Sequence, residues 1–228
     1  MKQKLEKIKS FFINNYKWIF LFIFIICLLI LIGFVINGDI KALDDKGYYI
    51  LQKYLISDTI TPFVKIFTNF ANKYWLVGLS ILLIFAINNK NTGIIISINL
   101  ILSAFTNFII KQMIQRPRPL DHRIINEKGY SFPSGHSMVS MAFYGFLLYL
   151  IYKNMKYKYW KRVLTTILAL SILFIGISRV YLGVHYTSDV IGGYLVGISY
   201  LIVFIHITHS YNKIENSKDS VKEENNEY

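Results

Sequence analysis

Three short clusters in this chain combine cations, imidazoles and a carboxylate at spacings suited to handling a phosphate group. The first is Lys111 followed by Arg118 and Pro119; the second is Pro133, Ser134, Gly135 and His136; the third is Ser178 and Arg179 with His185 and Asp189. Arginine offers a planar fork of donors that fits phosphate oxygens, and lysine a compact charge, so Lys111, Arg118 and Arg179 together suit binding and neutralising a phosphoryl group. Taken singly, a basic residue at the end of an apolar segment also commonly reaches for lipid headgroups. Pro119 ends any helix and holds the chain extended, which lets Arg118 turn toward the same place as Lys111.

The second cluster opens an apolar segment, where the first N–H groups of a helix lack partners and carry partial positive charge. There Gly135 lets the backbone approach an oxyanion, and Ser134 is either a hydroxyl donor to that anion or the N-cap of an ordinary helix. His185 and Asp189 stand four apart, a spacing that puts both side chains on one face of a helical turn. A carboxylate bonded to one imidazole nitrogen fixes the tautomer and leaves the other nitrogen free as nucleophile or base.

What must position these groups is a set of membrane spans. The chain has 228 residues, 54% hydrophobic and 16% aromatic, with uncharged runs longer than a soluble core of this size can bury. Apolar stretches cover residues 18–36, 74–87, 92–110, 137–152, 163–178 and 190 to about 206. The expected fold is therefore all-α, a polytopic bundle of six transmembrane helices. The first run follows Lys2, Lys4, Lys7, Lys9 and Lys17 and has no small-residue cleavage site after it, so it is expected to be a retained anchor. The second run is short for a span.

Residues 37–73 carry Asp39, Asp44, Asp45, Lys46 and Asp58, too many charges to cross lipid, and are expected to form an outer loop. Within that loop Thr61 and Pro62 start an amphipathic helix, with Phe63, Ile66, Phe67 and Phe70 at helical spacing, expected on the membrane surface. The organisation follows as a basic cytoplasmic N-terminus (1–17), a membrane domain (18–210) with its chemical core at 111–189, and a disordered polar tail (211–228).

The net charge of +12 gathers beside apolar segments instead of forming one soluble stripe, which argues for membrane topology and an anionic substrate and against nucleic acid. Lys153, Lys156, Lys158, Lys161 and Arg162 form one linker, and with the basic N-terminus they belong on the cytoplasmic side. Both termini are then cytoplasmic and the three clusters face outward. The lone Cys27, inside the first span, offers neither a disulfide framework nor a thiolate metal site within the chain and is expected to serve packing. Arg116, in a second Arg–Pro pair, is expected to be a bystander or at most a headgroup contact. His122, His206 and His209 are expected to have no catalytic role.

The three clusters, taken with their spacings, resemble the three-part signature of the type 2 phosphatidic acid phosphatase family, and every signature position is filled from Lys111 to Asp189. That family includes bacterial phosphatidylglycerophosphate and undecaprenyl diphosphate phosphatases, and it shares its core with glucose-6-phosphatase and the vanadium haloperoxidases. The resemblance implies a metal-independent and cofactor-free lipid phosphatase acting through a phosphohistidine. His185 is then the nucleophile, Asp189 its orienting carboxylate, and His136 the acid for the leaving oxygen. Lys111, Arg118, Arg179, Ser134 and the Gly135 amide hold the phosphoryl oxygens. Abundant Ile, Lys and Asn suit an AT-rich bacterial genome, which favours undecaprenyl diphosphate as substrate over phosphatidylglycerophosphate or phosphatidic acid. A vanadate-dependent haloperoxidase is the remote alternative.

Overall fold

The computed structural model describes residues 2–226, with side chains over residues 15–210. Its described elements are helical: α1 (Lys2–Asn37), α2 (Lys41–Tyr54), α3 (Thr61–Thr68) running into a single 3-10 turn (Asn69–Ala71), α4 (Lys73–Ala86), α5 (Lys90–Ile114), α6 (Gly135–Asn154), α7 (Lys158–Tyr181) and α8 (Thr187–Asn226). Among the described residues, five segments are long and apolar enough to cross a bilayer: Asn15–Asn37, Lys90–Ile114, Gly135–Asn154, Lys158–Tyr181 and Thr187–Ser210. The short second run passes the same test only when α3 and its 3-10 turn are joined to α4 across a bend of 51°. Phe22, Leu29, Phe85, Ile101 and Phe105 stand exposed on these helices, as side chains that face lipid should. Cys27 is exposed on α1, so it does not serve interior packing.

Helix starts follow side-chain chemistry. Asn72 and Asn89 each accept a backbone N–H at the head of α4 and α5, and Ser134 does so for α6 through Ser137 N. α5 ends where Gln115 takes a left-handed conformation at φ 52°, after which Pro117 and Pro119 keep the chain out of helix. Pro62 lies in the first turn of α3, whose Phe63 and Ile66 are exposed, while Phe67 and, in the 3-10 turn, Phe70 pack toward the bundle.

α6 is the central helix and packs against α5, α7 and α8, with Ile96, Leu100, Phe143, Phe146, Ile175 and Phe204 forming the core between them. The crossing of α6 and α8 is close because α8 presents glycines four apart. A methyl group on Gly193 would lie 2.7 Å from the Ser134 carbonyl oxygen, and one on Gly197 would lie 2.9 Å from that of Met138. Small residues at this spacing let two backbones approach in a membrane. α2 lies across α7 and α8, and α3 lies across α7, so the segment expected as an outer loop covers the end of the bundle where the clusters meet. The disordered tail expected from residue 211 falls on side chains outside the described ones.

Candidate active site

The three clusters converge at the ends of four helices: the C-termini of α5 and α7 and the N-termini of α6 and α8. The short α7–α8 connection turns at Gly183, which has φ 69°, a conformation that favours glycine. Its neighbour Leu182 accepts a hydrogen bond from Ile124 N at 3.0 Å, which ties the long 115–134 segment down beside the incoming His185. Ser134 N donates to the Asp189 carbonyl at 2.9 Å, fixing the start of α6 against the start of α8.

His185 and Asp189 meet as their spacing requires, with Nδ1 to Oδ2 at 3.2 Å and both side chains buried. Arg118 Nη1 lies 3.0 Å from the other ring nitrogen, Nε2. A guanidinium has only donors, so Nε2 accepts and the ring proton sits on Nδ1, pointing at Asp189. Burial drives the His185 pKa down to about 4, only partly opposed by the Asp189 hydrogen bond and charge and reinforced by Arg118 and Lys111, so the ring is neutral at ordinary pH.

Asp189 Oδ2 also accepts from Tyr186 N at 2.8 Å and from the Ser131 hydroxyl, while Oδ1 accepts from Arg116 Nη1 at 2.7 Å. A buried carboxylate with so many donors stays ionised and cannot swing.

The cations surround this pair. Lys111 Nζ donates to the Tyr130 and Ser131 carbonyls at 2.6 and 3.0 Å, leaving one of its three protons for an anion. Arg118 holds the loop through the Gly129, Lys128 and Val184 carbonyls as well as reaching His185. Arg179, 1% exposed, donates to Thr68 Oγ1 at 3.1 Å and pairs with Glu127 at 2.5 Å, and its buried Nε has no partner among the described residues. His136, at the second position of α6, lies within electrostatic reach of Arg179, His185, Arg118 and Lys111.

Ser134 is the α6 N-cap and accepts from Ser137 N and Oγ, which leaves its own hydroxyl proton to donate. Gly135 is the first residue of α6, and a side chain there would press on Asn107, 3.1 Å away from a built Cβ. All eight residues expected from the sequence thus gather at one end of the bundle.

Besides Ser131, which donates to Asp189, four residues of the centre lie outside the expected set. Arg116 is no bystander: it is 13% exposed and bridges Asp189 to Asp44, a residue read only as a loop charge. Glu127 and Thr68 engage Arg179. The doubled Arg–Pro was the one cue available; Asp44, Thr68 and Glu127 reach the site only through tertiary contacts. His122, outside the centre, stacks on Tyr48 with ring centroids 4.9 Å apart.

A sequence model of the PAP2 superfamily matches residues 92–213, which contain every one of the eight expected residues. The chain belongs to the PAP2 superfamily. It is 30% identical over 209 residues to an undecaprenyl-diphosphatase of Sulfolobus acidocaldarius, covering 88% of this chain and 96% of that protein. It is also 38% identical over 93 residues to phosphatidylglycerophosphatase B of Bacillus subtilis, a match that spans 40% of this chain and 46% of that protein. The crystal structure of a transmembrane PAP2-type phosphatidylglycerolphosphate phosphatase from Bacillus subtilis has the same fold, with a TM-score of 0.75 at 24% identity over 86% of this chain and 97% of that one. The expectations of this family, of an all-helical multi-pass membrane protein and of a phosphatase-class enzyme are met.

Proposed function

We propose that this PAP2 protein removes the terminal phosphate of a lipid phosphate or diphosphate at the outer face of the membrane, through a phosphohistidine on His185. The observation that carries the reading is the pair of contacts on that ring: Asp189 at Nδ1 and a phosphate-type cation, Arg118, 3.0 Å from Nε2. The unprotonated ring nitrogen therefore faces the cations.

In the first step Nε2 attacks phosphorus, the bond from phosphorus to the leaving oxygen breaks, and His136 supplies the proton that oxygen needs. Asp189 stabilises the positive charge that develops on the imidazole. In the second step water attacks the phosphohistidine, His136 takes its proton, and the phosphorus–nitrogen bond breaks to release phosphate. Lys111, Arg118, Arg179 with its unpartnered Nε, the Ser134 hydroxyl and the Gly135 N–H hold the three equatorial oxygens. In a loose transition state, charge stabilisation of this kind is most of what a protein can contribute.

A lipid substrate is favoured by an apolar cavity of about 820 Å³ between α2, α3, α7 and α8, which runs past Leu51, Phe63, Phe67 and Ile191 to Ser178 and Thr187; the cations themselves do not line it, and Ser178 is the chain neighbour of Arg179. A chain lying there keeps its phosphate at headgroup depth. The lysine-rich α6–α7 connection is at the opposite end of these helices, which by the charge rule supports a site facing outward with both termini cytoplasmic. Undecaprenyl diphosphate is the first candidate substrate, in keeping with the name of the Sulfolobus relative; phosphatidylglycerophosphate or phosphatidic acid comes second.

The test is purified protein assayed against these three lipids and a soluble sugar phosphate. Hydrolysis of at least one lipid, retained in chelator and inhibited by vanadate, is expected. Activity confined to the sugar phosphate would overturn the lipid assignment.

A further inference from the structure

Arg116 and Asp44 form a buried charge chain that ends on the carboxylate behind His185. Arg116 Nη1 donates to Asp189 Oδ1 and to Ser188 Oγ, each at 2.7 Å, and Nη2 donates to Asp44 Oδ2, also at 2.7 Å. Asp44, 4% exposed on α2, also accepts from Ser188 N at 2.8 Å and Ser188 Oγ at 3.0 Å, and the Arg116 guanidinium lies 4.1 Å from the centre of the Tyr186 ring. Among the described residues, the hydrogen bonds of this guanidinium go to Asp189 Oδ1, Ser188 and Asp44, and none goes to His185, Lys111, Arg118 or Arg179.

Resting on the phosphatase reading above, we propose that Arg116, held by Asp44, is a positioning residue: it occupies Oδ1 of Asp189 so that Oδ2 alone addresses His185. Two buried carboxylates share this one guanidinium. With the cation removed, like charges would confront each other and one carboxyl would take up a proton. A protonated or rotated Asp189 no longer fixes the proton on Nδ1 of His185, and attack through Nε2 is lost in proportion. Asp44 has a second effect, since it fastens α2, and with it one wall of the apolar cavity, to the residue just before Asp189.

The experiment compares full-length wild type, Arg116→Gln, Arg116→Lys and Asp44→Asn/Arg116→Gln on a hydrolysed lipid phosphate, with His185→Ala as the blank. Arg116→Gln should lower kcat by about 10- to 100-fold, the range typical of losing an outer partner that orients a working histidine, with KM within about twofold of wild type. Arg116→Lys, which keeps the charge and guards against misfolding, should lose less. Removing the second charge in the double variant should restore part of kcat. Nitrogen NMR of His185 should show Nδ1–H alone in wild type and a mixture of tautomers in Arg116→Gln.

An unchanged kcat, a raised KM at constant kcat, a double variant no faster than the single one, or an unaltered tautomer would each overturn the proposal. If wild type and His185→Ala are equally inactive on every lipid, it is the phosphatase reading that fails, and the NMR arm then judges the positioning role alone.

Discussion

Arg118 donates to Nε2 of His185 across 3.0 Å, so the ring nitrogen that the proposed mechanism uses for attack is capped by a cation. On that mechanism an entering phosphate displaces this hydrogen bond before Nε2 can attack. Arg118→Lys keeps the charge but loses the fork, and is expected to raise KM and lower kcat together, about 10-fold or more in kcat/KM. Steady-state kinetics on the preferred lipid check this, and an unchanged kcat/KM would contradict it.

Glu127 occupies Arg179 at 2.5 Å, as an anion would. On the proposed function, a phosphate held by the free Nε of Arg179 also draws on the Nη2 that Glu127 occupies, so the carboxylate opposes its binding. Glu127→Gln is therefore expected to strengthen inhibition by vanadate and by inorganic phosphate severalfold. Weaker inhibition would mean that Glu127 holds Arg179 in place for the substrate and does not compete with it.

His136 is assigned the proton given to the leaving oxygen. His136→Ala should slow turnover by about 10²- to 10⁴-fold on a lipid alcohol leaving group, and much less on an aryl phosphate whose leaving group needs no proton. Equal losses on both substrates would remove the acid role.

The buried His185 ring has its pKa pushed down to about 4 by desolvation. A lowered value for a base means that the neutral form persists to lower pH, so His185 should remain unprotonated at pH 5.5, where a free histidine, with its pKa near 6.5, is mostly cationic. NMR titration of the labelled ring, assigned with His185→Ala, checks the sign; a midpoint near 6.5 would contradict it.

Gly193 sits where α8 crosses the start of α6, with no room for a side chain between it and Ser134. Gly193→Val should push the α6 N-terminus outward, lowering both thermal stability in detergent and kcat. Wild-type behaviour would mean that the crossing tolerates displacement.

How much of this was legible in the chain differs by residue. Lys111, Arg118, Ser134, His185 and Asp189 could be placed because each sits at a span end or at a helical spacing, and local periodicity alone brings such positions to one side of a bundle. The close α6–α8 crossing also has a local cue, in glycines four apart. Asp44 looked like solvated loop charge beside Asp45, and nothing local distinguishes the two; only the crossing of α2 over α8 buries one and leaves the other outside. Thr68 and Glu127 are hidden for the same reason, since they reach Arg179 over separations of 111 and 52 residues. The second apolar run is short because the chain bends by 51° between the α3 segment and α4, and periodicity carries no record of a bend.

The central claim is that Nε2 of His185 accepts the phosphoryl group. Rapid quenching of the enzyme with a lipid phosphate radiolabelled at its terminal phosphorus, followed by digestion under alkaline conditions and peptide mapping, tests it most directly. The account predicts an acid-labile, base-stable label on the peptide carrying His185, absent in His185→Ala. Label on another residue, or full turnover in His185→Ala, would contradict it.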